Sequence, residues 1–163
     1  MTLSSSEFAN ADDNELFQAI KSQNWKDVED LIEKQPNLVQ QRDEFDNTPL
    51  HSAIGFKCPD ALLLRLLHAH PEACRVHGTD EWTPLHVAAM WGVSRNVMEA
   101  IILEYPAALD DVGQDSIKGK SPRHFSGRFA HNKELLERST EEWEKIKAER
   151  EVASKRSVMS QFF

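Results

Sequence analysis

Cysteine, glycine-rich loops and long apolar runs are all scarce in this chain of 163 residues. It has two cysteines, Cys58 and Cys74, and they do not form a Cys-x-x-Cys pair. Such sparse, unpaired sulfur builds no disulfide framework and fits a reducing compartment. No apolar run approaches the ~18 residues that a membrane span needs. Met1 to Asp13 contains neither a basic residue nor an apolar segment, so no secretory leader is expected there. No glycine-rich phosphate loop, nucleophile elbow or paired acid constellation occurs, so no catalytic residue, metal or cofactor is expected. His68, His70 and His77 with Cys74 form a loose cluster, but lack the turn-like spacing of a zinc site and read as a His-rich surface loop. What remains is one modest, soluble, non-catalytic domain, placed in the cytoplasm with nuclear entry open.

What is present is ordinary in amount and uneven in placement. The chain is 28% charged and 40% hydrophobic, with a net charge of −8. Residues 1–46 carry 11 acidic and 4 basic side chains, and residues 47–115 carry 9 and 4. Residues 116–163 reverse the balance, with 7 acidic and 11 basic. In an elongated molecule this makes an acidic end and a basic end. Such a distribution serves solubility, or steers a partner of mixed charge. The basic third suggests nucleic acid, but its cations alternate with carboxylates, which dilutes any phosphate-tracking face and disfavours that reading.

One tetrapeptide organises the chain. It reads Thr48-Pro49-Leu50-His51, returns as Thr83-Pro84-Leu85-His86, and recurs altered as Ser121-Pro122-Arg123-His124. Thr or Ser caps a helix, and Pro at the first helical position loses no needed donor. Leu begins the apolar face, and His can donate and accept together. Ala53 and Ala88-Ala89 then allow close helix packing. Pro36, Pro71 and Pro106 end helices at the same period of 35 residues. T-P-L-H-x-A at a spacing near ~33 residues is the ankyrin signature, and the chain resembles an ankyrin-repeat protein. The resemblance implies an all-α ankyrin-repeat solenoid of stacked helix-turn-helix units with short β-hairpin fingers. It also gives the histidines a structural role.

The expected organisation is a disordered lead-in over 1–12 and a stack over 13–131. The stack divides into an atypical first repeat 13–43, repeats 44–78 and 79–115, and the start of a degenerate fourth at 116. Arg123 replaces the buried Leu of the motif, which marks that fourth unit as a cap, because an unpaired Arg is costly to bury. An amphipathic helix over 132–154 should complete the cap, followed by a flexible tail over 155–163. Fingers are expected near 40–47, 75–82 and 111–120.

In the ankyrin family, finger tips and the exposed side of the inner helices line a concave groove where protein partners dock. Carried over in the motif's register, that places Asn47, Trp82 and Lys120 just before each Thr or Ser. Met90 and Arg128 fall at the seventh position after it, and Phe56, Trp91 and Phe129 at the eighth. With Phe45 on the finger over 40–47 they form an aromatic stripe edged by cations. Trp and Arg are enriched in interface hot spots. Phe56, Trp91 and Phe129 equally suit packing between inner helices. The expectation is a monomer that binds an unidentified protein as an adaptor or regulatory subunit, through an apolar ligand carrying acidic residues. The alternative is an oligomer built through the C-terminal helix.

Overall fold

The computed structural model describes residues 14–113 and 119–163. The expected lead-in over 1–12 and part of the third finger lie outside the described residues. Helices are α1 Glu15–Lys21, α2 Trp25–Lys34, α3 Pro49–Gly55, α4 Asp60–Ala69, α5 Pro84–Trp91, α6 Arg95–Glu104, α7 Ala130–Glu137 and α8 Thr140–Ser160. They pair in sequence order as α1/α2, α3/α4 and α5/α6, with α1, α3 and α5 forming an inner layer and α2, α4 and α6 an outer one. After each outer helix, Pro36–Gln40, Pro71–Arg75 and Pro106–Asp110 form short 3-10 turns. The recurrent prolines therefore open these turns, where fixed φ and a missing N–H cost nothing.

The motif works as its residue types require. The Thr48 and Thr83 side chains cap the third helical N–H of α3 and α5, and His51 and His86 return a bond to each cap backbone. The N–H groups of Thr48 and Thr83 donate to Nδ1 of His51 and His86, both at 3.1 Å. This leaves the proton on Nε2, which donates across the repeat boundary. His51 reaches the Trp82 carbonyl at 3.0 Å, and His86 reaches that of Lys120 at 3.2 Å. Leu50 and Leu85 are buried, and Ala53, Ala88 and Ala89 let the inner helices meet closely. Interhelix turns carry a second ladder. Gln23 and Lys57, both at positive φ, donate to the carbonyls of Phe56 and Trp91 in the next repeat. Gly92 occupies the third such position at φ 80, and a Cβ there would lie 2.7 Å from the Phe129 ring.

Four features depart from the sequence-based expectation. The two fully described fingers are turns rather than β-hairpins, and no strand occurs among the described residues. One backbone bond closes each described finger, Asp43 N–H to the Asn47 carbonyl and Gly78 N–H to that of Trp82. So short a segment has no room for a ladder. The inner helix of the fourth unit is a 3-10 turn, Pro122–Arg128, where Ser126-Gly127 replaces the alanine pair. Beyond it, the helix expected over 132–154 is broken. Ser139 caps α8 in a reciprocal box with Glu142, a Ser-x-x-Glu signal that redirects the chain and buries Trp143 completely. The segment read as a loose tail continues α8 to Ser160, because no glycine or proline interrupts a helix already nucleated.

Arg123 makes this break possible. Its guanidinium donates to the Leu136 and Arg138 carbonyls, both at 2.7 Å, where α7 leaves acceptors without partners. It also bonds the Asp110 carboxylate at 2.6 Å and the Thr140 hydroxyl at 3.0 Å. That bond from Arg123 holds the Asp110 carboxyl below its usual range. A fully paired Arg thus replaces a buried Leu and fastens the C-terminal helices to the third repeat.

Two outcomes follow. Leu85→Ala should cost about 2–5 kcal/mol in urea unfolding and loosen hydrogen-exchange protection in the repeats on both sides, since neighbours share each interface. Arg123→Gln should cost about 1–3 kcal/mol by leaving buried acceptors unpaired. Its exchange should quicken in α7 and the first turns of α8 while α3 stays protected.

Candidate functional site

The inner helices expose one face to a cavity of about 420 Å³, enclosed by the first and second fingers and by α3 and α5. Ser52 and Phe56 are four residues apart at the end of α3, and Val87 and Trp91 repeat that spacing on α5. Side chains four apart share a helix face. Because the face beneath them is filled by alanines and leucines, these positions are pushed outward. Phe45, Phe56 and Trp91 are 58%, 38% and 50% exposed, and all three line this cavity with the half-buried Met90.

Other expected site residues are engaged differently. Trp82 is half-buried rather than free on a tip. Its ring stacks on His86 with centroids 5.9 Å apart and meets Phe125 at 5.7 Å, because the finger folds back over α5. One edge still borders the cavity. Asn47 is consumed in joining fingers: its amide donates to Thr79 Oγ1 at 2.8 Å and accepts from Thr79 N–H at 3.0 Å. Lys120 and Arg128 do not line the cavity. The Lys120 carbonyl receives His86, and Arg128 is exposed at the end of its 3-10 turn. Phe129 leans on Gly92 and lines a second cavity of about 370 Å³, with Trp91 standing between the two. The stripe is therefore divided, and the cations expected at its rim lie elsewhere.

Carboxylates stand at the rim instead. Asp43 and Asp80 line the aromatic cavity, where Lys21 is the cation, and Glu44, Asp46 and Glu81 occupy the same fingers. Asp43 shapes its finger by accepting the N–H groups of Phe45 and Asn47, both at 2.9 Å. This is the side-chain turn that Asp favours, and it holds Phe45 outward between acids. The acids and the pair Ser52 and Val87 were missed in the sequence. For Ser52 and Val87 the signal was the fourth position after each Thr, which recurs with the motif.

Burial shifts the imidazole at the groove. His51 lies on the groove wall, and burial pushes its pKa down to about 4, and His86 is lowered by burial as well. Burial raises the Cys58 and Cys74 thiols to about 12. Among the described residues no cluster of His, Cys, Asp or Glu is arranged to hold a metal ion. His77, from the expected loose cluster, pairs with Asp111 at 2.7 Å and links two fingers.

A neutral His51 predicts a pH dependence. The unfolded chain protonates this residue below about 6.5, whereas the folded state resists until about 4. Stability should therefore fall as pH drops from about 6.5 to about 4, by on the order of 3 kcal/mol at most from this residue. His86 acts in the same direction. Urea unfolding of wild type and His51→Gln across pH 7.5 to 4.5 checks this. The variant should start less stable and show the shallower slope.

No helix among the described residues is long and apolar enough to cross a membrane. No curated protein and no solved structure matches the chain. A family model described as ankyrin repeats matches residues 16–113 in three copies, more than half of the chain. That span holds the three helix pairs with their inner and outer layers, the capping histidines and the finger turns. The chain belongs to the ankyrin-repeat family.

Proposed function

We propose that this protein is a non-catalytic adaptor or regulatory subunit that holds a polypeptide segment in the groove between its first and second fingers. Ankyrin repeats are in general protein–protein interaction modules, and the family is typically non-catalytic. The observation that carries the reading is the joint exposure of Phe45, Phe56 and Trp91 over one cavity. Large aromatics left in water on a folded surface mark interaction sites, because burying them supplies free energy only when a partner arrives. Free, buried Cys58 and Cys74 support a reducing, cytoplasmic setting.

The rim revises the ligand expected from sequence. Residues 43–56 and 79–91, which build both arms of the groove, contain five carboxylates and no Lys or Arg. Complementary charge speeds encounter and selects partners. The ligand is therefore apolar and basic rather than apolar and acidic. Selection from a random peptide display library tests this. Wild type should enrich sequences pairing aromatic or aliphatic anchors with Lys or Arg, and a Phe45→Ser, Trp91→Ser variant of unchanged fold should lose that enrichment. Peptides bound by a selected clone should weaken roughly tenfold or more in the variant. Enrichment of acidic peptides, or selection unaffected by the variant, would defeat the reading.

A further inference from the structure

The exposed large hydrophobic side chains of the described chain fall into two groups, with Val112 standing apart. Phe45, Phe56 and Trp91 belong to the groove. The others, Val152, Val158, Met159, Phe162 and Phe163, all lie on the last turns of α8 and just after it. The two groups differ in charge. The groove arms carry carboxylates without cations, whereas residues 152–163 carry Lys155 and Arg156 without a carboxylate side chain. One surface therefore has the chemistry that the other lacks.

The segment cannot reach its own groove. α8 is fastened on the outer layer, where Lys147 donates to the Glu104 carbonyl at 2.8 Å and Arg150 pairs with Glu99. Beyond Arg150 every residue is exposed, and the helix remains unbroken through Ser160. Ten helical residues from Glu151 to Ser160 carry the segment about 15 Å past its last anchor. The inner-layer groove lies on the other side of the stack, so contact between the two surfaces requires two molecules.

We propose that the projecting end of α8 from one copy docks into the acidic aromatic groove of a second copy, head to tail. This rests on the groove reading above and names an occupant for it. Met159 and Phe162 supply the apolar anchors against Phe45, Phe56 and Trp91, while Lys155 and Arg156 face Asp43 and Asp80. The contact uses two different surfaces, so each docked copy presents another free groove and another free helix end. Such heterologous contacts extend into chains unless the rotation closes a ring. The monomer expected from sequence becomes the dilute limit.

Complementation of two defective variants tests the geometry. The groove variant is Phe45→Ser, Trp91→Ser, and the helix variant is Met159→Ser, Phe162→Ser. Circular dichroism and thermal melting establish that both fold, and Lys155→Glu, Arg156→Glu provides a second helix variant that touches no apolar group. Sedimentation velocity of the full-length chain between about 1 and 500 μM should show mass rising with concentration for wild type. Each variant alone should stay monomeric, and an equimolar mixture of groove and helix variants should form a species of two chains and stop there. Higher salt should weaken wild-type association several-fold, since the paired charges are partly exposed. A wild type that stays monomeric over this range overturns self-docking. So does self-association by either variant alone, which would indicate helix-to-helix or groove-to-groove contact. In either case a groove that still selects basic apolar peptides keeps its binding role, and a groove that selects none loses both.

Discussion

The rest of the molecule depends on a hydrogen bond from a neutral imidazole to the backbone of the following repeat. In a solenoid each unit leaves one face uncovered, and apolar contact alone does not fix how the next unit sits on it. Thr48 and Thr83 donate their N–H groups to Nδ1 of His51 and His86, which fixes the tautomer. The opposite nitrogens then donate to the carbonyls of Trp82 and Lys120. A protonated ring could not accept at Nδ1, and burial is what keeps His51 uncharged down to about pH 4. Local helix capping and long-range register are thereby set by one side chain.

Where the stack ends, this arrangement is exchanged for another. His124 repeats the local bond to Ser121 at 3.1 Å, but it is exposed and meets no further repeat among the described residues. Arg123 takes over at that point. Its several donors match the carbonyls at the end of α7 together with Asp110 and Thr140, which no aliphatic side chain could satisfy. The Leu-to-Arg change is therefore the device that turns the chain toward α8. Trp143 completes the closure by donating Nε1 to the Leu135 carbonyl at 3.0 Å inside the core.

The surface that remains follows from how the layers are filled. Alanine at the contacts of α3 and α5 brings the inner helices close, so bulkier residues at the ends of those helices have no interior to enter. Phe56 and Trp91 are exposed for that reason, and Asp43 and Asp80 frame them because acidic residues suit the tight finger turns. The proposed binding chemistry and the turn chemistry meet in the same few residues.

The sequence by itself determined the repeat architecture. A Thr-Pro-Leu-His-x-Ala motif returning after 35 residues specifies capping, burial and close packing through local chemistry, all of it visible one residue at a time. The Ser139-x-x-Glu142 box was equally legible, although an unbroken helix was read across it. Only tertiary structure decided the fate of the candidate site. Trp82 looked free because its place in the motif is a finger, yet the turn folds it onto His86 and Phe125. Asn47 looked available until Thr79, distant in sequence, came within hydrogen-bond reach. Lys120 and Arg128 shared a register with the aromatic residues but not a cavity, since the degenerate fourth unit replaces its inner α-helix with a 3-10 turn. Register is a property of the chain, whereas neighbourhood depends on how each repeat is rotated and shifted against the next. That displacement arises from side chains far apart in sequence packing together.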